Sequence, residues 1–416
     1  MIGIIQSLHR KMITDKRRRG NNFDGDAIIK TECALIRHEF FGGNISISED
    51  VDWCAVYKEM RAQTVYMLPL SWLEQHPLDD EKLQTEWKYT ALRDQTIGER
   101  LLQVQEELFQ LLDAHEIEAV VLKGSAAGVA YPHPQLRLKG DIDILVKEDR
   151  FEEVARFLEE NGYIRPDDGI CHHMHFKKDS VLIELHRSLS TGAVSLDRDY
   201  LQALLMRGLE NRIESAENGH TFFMLPALEN GVVLLMHMIQ HLQSGLGLRQ
   251  VADWMMYVYR NVDDRFWEEA FRPMMDRLGT TAFACTVTHM CQIYLGLPET
   301  IIWCQQAEDD VCEKLFAYIC DQGNFGRKLG QKDHEVRFLS DAHTPAAIMK
   351  RLQAGGLVHW RFAGEHRILR PFAWVYQCGR VGRILLSQRK LTKIRSDYQV
   401  AKERILLFKE IGMPGK

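Results

Sequence analysis

Three carboxylates and a glycine-serine turn dominate the chemistry open to this sequence. Asp141 and Asp143 stand two apart in Asp141-Ile142-Asp143-Ile144-Leu145-Val146, and Glu184 sits in Val181-Leu182-Ile183-Glu184-Leu185-His186. Residues two apart in a strand share a face, so Asp141 and Asp143 point one way while Ile142 and Ile144 point into a core. By the same alternation Leu182, Glu184 and His186 share one face and Val181, Ile183 and Leu185 the other. Neighbouring carboxylates repel unless a cation lies between them. Mg²⁺ takes oxygen ligands and binds through one or two carboxylates plus substrate phosphates, so it is the expected ion, with Mn²⁺ as the alternative. A third acid joining the pair would help activate a hydroxyl for in-line displacement at phosphorus. Acids on strands are commonly just a solvated face, but Asp is disfavoured there, and these three follow a turn suited to phosphate.

That turn is Lys123-Gly124-Ser125. Ala119-Val120-Val121-Leu122 is a short β-branched run that reads as a strand, and Ser125 is placed to cap a helix over 126–130. Backbone N–H groups at a helix start favour a phosphate, and Gly lets the ligand come close. Lys123 and Arg137 are placed to neutralise phosphate charge developing in a transition state. Histidines 172, 173, 175 and 186 crowd the same stretch. His173 and His175 can share a face as Zn²⁺ ligands, yet no cysteine or further histidine stands at a recognisable zinc spacing. His173, His175 and His186 are therefore read as substrate contacts or as hydrogen-bonded side chains.

Leu122-Lys123-Gly124, Tyr131-Pro132, Arg137, the Asp141–Val146 run, Gly162-Tyr163, His173 and Glu184-Leu185-His186 occur in an order that resembles the uncharacterised bacterial nucleotidyltransferase family of the DNA polymerase β-like superfamily. The dense part of the resemblance runs from Leu122 to His186, and helical flanks of similar character extend it over most of the chain. Residues 126–140 separate the turn from the first Asp, a longer linker than the superfamily's usual one and similar to this family's own. The resemblance implies that Asp141 and Asp143 ligate metal, that Glu184 is the third acid and metal ligand, and that Gly124 and Ser125 hold a triphosphate. The implied reaction moves a nucleoside monophosphate from an NTP to an acceptor hydroxyl or phosphate on a small molecule, a protein or RNA. A noncatalytic nucleotide-binding or scaffold protein, or an RNA-associated regulatory protein of the toxin-antitoxin type, would keep the same fold and is the alternative.

The elements that position these residues are mostly helical. The expected fold is α+β: a small mixed-sheet polymerase β-like core at 116–190, an N-terminal helical region at 31–115, and a C-terminal helical region at 191–416. Residues 1–30, with Arg17-Arg18-Arg19, read as a mobile basic extension. Helical spacing covers 28–38 and 50–75. The clearest long helix is 79–114, with Trp87, Leu92, Ile97, Leu101, Val104, Leu108, Leu111 and Leu112 as its apolar stripe. Between the Asp pair and Glu184, 149–161 reads as a helix closed by Gly162, giving strand, helix, strand, helix, strand. Everything after about 190 reads as predominantly helical, most strongly at 225–243, 248–260, 266–278, 282–295 and 309–321. His237 and His241 share a face of the first of these. Met238 stands where a zinc metalloprotease needs Glu, and interhelical hydrogen bonding is the preferred role for these histidines, Arg249 and Asp253.

A chain of 416 residues with 45% hydrophobic and 26% charged content is long enough for two or three globular domains and does not suit wholesale disorder. Nine scattered cysteines without a Cys-x-x-Cys read as buried free thiols of a reducing compartment. Neither a signal peptide nor an apolar run of membrane-spanning length is evident, so the cytoplasm is the expected location. From residue 350 onward, 15 Lys or Arg face four acids, an excess of +11 in a chain of net −6, with Trp360, Phe362, Phe372, Trp374 and Tyr376 interleaved. Such a tail suits an anionic partner (RNA, a phosphorylated acceptor or a membrane surface) as well as a plain solvated basic face.

Overall fold

The computed structural model describes residues 27–166, 173–189, 197–328, 349, 352–357, 360, 362, 367–387 and 404–413. The expected basic extension lies almost wholly outside the described residues, as do His172, Cys171 and much of the basic tail.

Six strands form one mixed sheet: β1 (Ala119–Leu122), β2 (Ile142–Val146), β3 (His173–Lys178), β4 (Val181–His186), β5 (Ile213–Glu217) and β6 (His220–Met224), in the order β3-β4-β2-β1-β6-β5. β1 runs antiparallel to β2 and parallel to β6, β2 runs parallel to β4, and β3–β4 and β5–β6 are antiparallel pairs. The helices include α1 (Ala27–Phe41), α2 (Trp53–Gln63), α3 (Leu70–Gln75), α4 (Glu81–Asp113), α5 (Gly124–Gly128), α6 (Phe151–Glu160), α7 (Arg198–Glu210), α8 (Ala227–Ser244), α9 (Leu248–Asn261), α10 (Arg272–Leu278), α11 (Thr281–Leu295), α12 (Asp309–Gln322) and α13 (Ala373–Ser387). A π-helical turn, Trp267–Phe271, leads into α10.

Strand alternation sorts the sheet's side chains between two cores. Val121, Ile142, Ile144, Ile183 and Leu185 pack with Leu101, Val104 and Leu108 of α4 and with Val154 and Leu158 of α6. Val120, Leu122 and Leu145 face the larger core built by the helical regions. Asp143 and Glu184, out of phase with the isoleucines, therefore belong to the face that meets the helices.

α4 spans both cores. Its 33 residues extend about 50 Å, starting at Asp80, whose carboxylate accepts from the Leu83 N–H at 3.0 Å. The buried series is Trp87, Ala91, Asp94, Gly98, Leu101, Gln105, Leu108 and Leu112, a steady three-to-four spacing. Leu92 and Ile97 of the expected stripe each fall one residue off it and are 59% and 52% exposed. Asp94 takes an inward place instead, accepting a hydrogen bond from the Tyr66 hydroxyl.

Beyond residue 190 the chain is not purely helical, because β5 and β6 carry the sheet on to Met224. Their signal was present: Asn218-Gly219 separates two alternating runs, and both residues adopt the positive φ (50° and 86°) that a tight hairpin requires. His220 on β6 donates from Nδ1 to Glu106 at 2.8 Å and from Nε2 to Glu99 at 2.9 Å, both on α4. Donating from both nitrogens requires the imidazolium, and the hydrogen bonds to Glu106 and Glu99 raise the His220 pKa. Its stabilising contribution is full below the unfolded value of about 6.5 and is lost as pH rises through the raised folded value. Melting temperatures recorded between about pH 5.5 and 8.5 should fall less steeply toward high pH in His220→Asn than in the wild type; parallel curves would count against this tie.

Candidate active site

Strand register brings the acids together. Asp143 lies beside Glu184 on the parallel pair β2–β4, and Leu122 opposes Asp143 across β1–β2. The residue after Leu122 thus arrives next to Asp143, and Lys123 Nζ stands 2.7 Å from Asp143 Oδ1. Lys123 has φ 56° and ψ −133°, a conformation that L residues rarely adopt, and Gly124 follows at φ 38°. This strained corner turns the chain from β1 into α5. A Cβ on Gly124 would meet nothing nearer than the Asp141 carbonyl oxygen at 3.9 Å, so glycine is needed there for its backbone freedom rather than for space.

The long linker reaches the site because it is fastened at several points. Arg137 donates from Nε and Nη2 to the two oxygens of Asp253 on α9, each at 2.7 Å, and the Tyr131 hydroxyl donates to Asp253 Oδ1 at 2.8 Å. Lys139 Nζ donates to Glu217 Oε1 of β5 at 2.5 Å and to the Pro134 carbonyl at 3.2 Å. Arg249 of α9 donates from Nη1 to the Leu138 carbonyl at 3.2 Å. Arg137, Lys139, Asp253 and Glu217 are all buried, so these bonds fix the path that ends at Asp141.

A cleft of about 210 Å³ opens between sheet and helices. Lys123, Gly124, Arg137, Gly140, Asp141, Asp143, His173 and Glu184 line it from the strand side; His237, Gln240, His241, Arg249 and Phe325 line it from the helical side. Burial works against ionising Asp143, yet the Lys123 charge and a 2.8 Å hydrogen bond from His186 Nε2 hold its carboxyl well below the usual range. Burial likewise works against charging Lys123 and His186, and in each the pull of Asp143 prevails and raises the pKa. Glu184, opposed by its burial, is lowered by a hydrogen bond from His186. Asp141 behaves in the opposite sense: burial, with the Asp143 charge beside it, pushes it up to about 6. On the far wall, burial backed by the Lys123 charge pushes His241 down to about 4 and His237 well below its ordinary value, which leaves both neutral.

Asp141 is thus a carboxylate that its surroundings do not neutralise, in a cleft it shares with two other acids. Three oxygen donors of this kind fit a hard divalent cation such as Mg²⁺. Among the described residues, the sets of donor atoms that lie within 4.8 Å of one another are Asp143–Glu184–His186 and His173–His175–Glu184; Asp141 enters neither, although it lines the same cleft.

A family model described as "Uncharacterised nucleotidyltransferase" matches residues 49–296, more than half of the chain. The chain belongs to this nucleotidyltransferase family. The matched stretch takes in the whole sheet and every cleft residue except Phe325. No curated protein matches the chain. Among solved structures, the crystal structure of an antigenic nucleotidyltransferase-like protein from Paracoccidioides brasiliensis aligns with 49% of this chain and 96% of its own, at 12% identity and a TM-score of 0.31, too slight a likeness to carry weight.

Of the ten site residues singled out from sequence in this nucleotidyltransferase, seven line one cleft, while Ser125, His175 and His186 do not. Ser125 is fully buried inside α5 rather than capping it, and its Oγ donates to Gln105 Oε1 of α4 at 3.0 Å. Lys123 occupies the cap position, with no side-chain capping bond. Arg137 reaches the cleft wall, but its guanidinium is gripped by Asp253. His175 and His186 flank Glu184, with Nε2 3.4 Å from Oε1 and from Oε2 respectively. His237 and His241 face the cleft instead of bridging helices: their rings meet edge-on at 4.5 Å, and His241 Nδ1 contacts Ser244 Oγ of its own helix at 3.3 Å. Gln240 and Phe325 were not foreseen. Gln240 follows His237 by three residues, on the same helical face, and had that signal; Phe325, at φ 53° after α12, had none. No helix among the described residues is long and apolar enough to cross a membrane.

Proposed function

We propose that this nucleotidyltransferase moves a nucleoside monophosphate from an NTP to an acceptor hydroxyl or phosphate within this cleft. The observation that carries the reading is the shared lining: Asp141, Asp143 and Glu184 converge on one cleft with Lys123 and Gly124 at its turn. Asp141 and Asp143, joined by Glu184, would hold Mg²⁺, which when bound supplies charge stabilisation at the transferring phosphoryl group. Lys123 sets an ammonium beside the acids and Arg249 faces it from α9, so phosphate oxygens entering between them meet positive charge from both walls. Gly124 takes the positive φ that turns the backbone along the cleft wall, where the phosphates would approach it. Glu184, kept ionised by His186, accepts the hydrogen bond of an attacking hydroxyl and orients it. The acceptor oxygen forms its bond to the α-phosphorus as the bond to the bridging oxygen breaks, a hydroxyl acceptor passing its proton to Glu184, and pyrophosphate leaves. Neutral His237 and His241, with the half-exposed Phe325 ring, line the helical wall where base and sugar would lie.

The test is transfer of label. The protein is incubated with Mg²⁺, each α-labelled NTP in turn, and cell lysate separated into protein, RNA and small-molecule fractions. Label should appear in one fraction with a preferred NTP and vanish with EDTA; label in no fraction with any NTP would remove the enzymatic reading.

A further inference from the structure

We propose that His173, His175 and Glu184 form a second site, sharing Glu184 with the acid cluster, for an imidazole-preferring divalent transition ion, for which Zn²⁺ is the probe. The proposal does not rest on the transfer reading, since all-oxygen Mg²⁺ chemistry calls for no histidine.

The register of β3 on β4 sets His175 opposite Glu184 and His173 opposite His186. Both β3 imidazoles turn the same ring atom toward the same point: His173 Nε2 and His175 Nε2 are 3.0 Å apart. Glu184 closes the group, with Oε1 3.4 Å from His175 Nε2 and Oε2 3.9 Å from His173 Nε2. An ion bonded to two imidazole nitrogens and one carboxylate oxygen at zinc-like lengths, in tetrahedral geometry, spaces its donors about 3.3 Å apart. The ring-to-ring 3.0 Å and the 3.4 Å from His175 Nε2 to Glu184 Oε1 lie on either side of that value, and the 3.9 Å from His173 Nε2 runs to the other oxygen of the same carboxylate.

Other features fit the same assignment. The donors are partly shielded yet reachable, with side-chain exposures of 29%, 24% and 18% for His173, His175 and Glu184. Two imidazoles and one carboxylate suit zinc and its transition-metal neighbours better than Mg²⁺. Three protein donors, one fewer than a closed structural zinc site uses, are the number found where a position is kept for water or substrate. His173 and Glu184 line the cleft, so that position opens toward it. His186 is held by Asp143 at 2.8 Å and reaches Glu184 Oε2 at 3.4 Å; it steadies the carboxylate, as outer partners of metal ligands do. A zinc spacing could not be read along the chain because the third donor comes from the paired strand.

An ion here engages Glu184, which the transfer reading also uses, so binding is best measured without turnover. The full chain is titrated with Co²⁺ while visible absorption is followed, and Zn²⁺ retained after dialysis is measured by elemental analysis, with Mg²⁺ as comparator. The wild type should retain about one Zn²⁺ per chain and give the intense visible bands of tetrahedral Co²⁺. His175→Ala and His173→Ala should each weaken Zn²⁺ binding by more than about 100-fold, with circular dichroism matching the metal-free wild type. Asp141→Asn should leave Zn²⁺ affinity unchanged. The assignment is overturned if the wild type retains no Zn²⁺, if a folded histidine variant binds as the wild type does, or if only Asp141→Asn loses the ion. Success or failure of label transfer alters none of these readouts.

Discussion

Asp141→Asn is expected to lower nucleotidyl transfer by at least about 100-fold while leaving the protein as stable as the wild type at neutral pH, or slightly more so. Burial and the Asp143 charge push Asp141 up to about 6, so folding works against its ionised form. A carboxyl whose pKa is raised in the folded state makes the fold less stable as pH climbs from its unfolded value through the raised one. Replacing it by a neutral isostere removes that penalty above pH 6, and with it an oxygen donor for the cation and substrate. Asp143→Asn should differ in kind. It takes the anion from the half-buried Lys123 and the buried His186, and uncompensated buried charge of this sort costs about 3–5 kcal/mol. Urea unfolding beside the label-transfer assay separates the two cases: Asp141→Asn loses rate alone, Asp143→Asn loses rate and stability. An Asp141→Asn protein that transfers label at the wild-type rate would sink the catalytic assignment.

Much of this site was legible because strand chemistry is local. The period-two alternation of 141–146 and 181–186 put Ile142, Ile144, Ile183 and Leu185 into one core and Asp143 and Glu184 on the opposite face, as the sheet places them. Helix spacing likewise located α1, α4, α8, α9, α11 and α12 to within a few residues at each end. Three things were not legible, each for a physical reason. β3 is an edge strand whose His173-Met174-His175-Phe176 pattern is short and half-buried, and its meaning depends on pairing with β4. The β5–β6 hairpin was outweighed by the long helices around it, although Asn218-Gly219 marked its turn. The destinations of Ser125 and Arg137 depend on Gln105 and Asp253, residues 20 and 116 positions away, and no local pattern encodes contacts at that range.

That distance is what makes Asp253 the more consequential residue outside the acid cluster. Asp253→Leu should destabilise the fold by about 3–5 kcal/mol, because it strips the buried Arg137 guanidinium of both its hydrogen bonds to Asp253 and removes the acceptor of the Tyr131 hydroxyl. Arg137→Met should cost a similar amount by stranding the carboxylate. The paired variant Arg137→Met with Asp253→Leu should recover most of the loss, since a buried ion pair replaced by apolar groups of similar volume is often no less stable than the original. Urea denaturation of the two single variants and the pair makes this a double-mutant cycle, and a strongly favourable coupling is the expected result. The same cycle decides what Arg137 does. If its guanidinium serves to anchor the linker to α9, the paired variant regains stability and transfers label with an unchanged KM for NTP. If Arg137 instead releases Asp253 to bind phosphate, Arg137→Met folds as stably as the wild type and its KM for NTP rises steeply. The bidentate contact, the buried setting and the third hydrogen bond from Tyr131 favour the anchor, and leave Lys123 and Arg249 as the cations that face the cleft from its two sides.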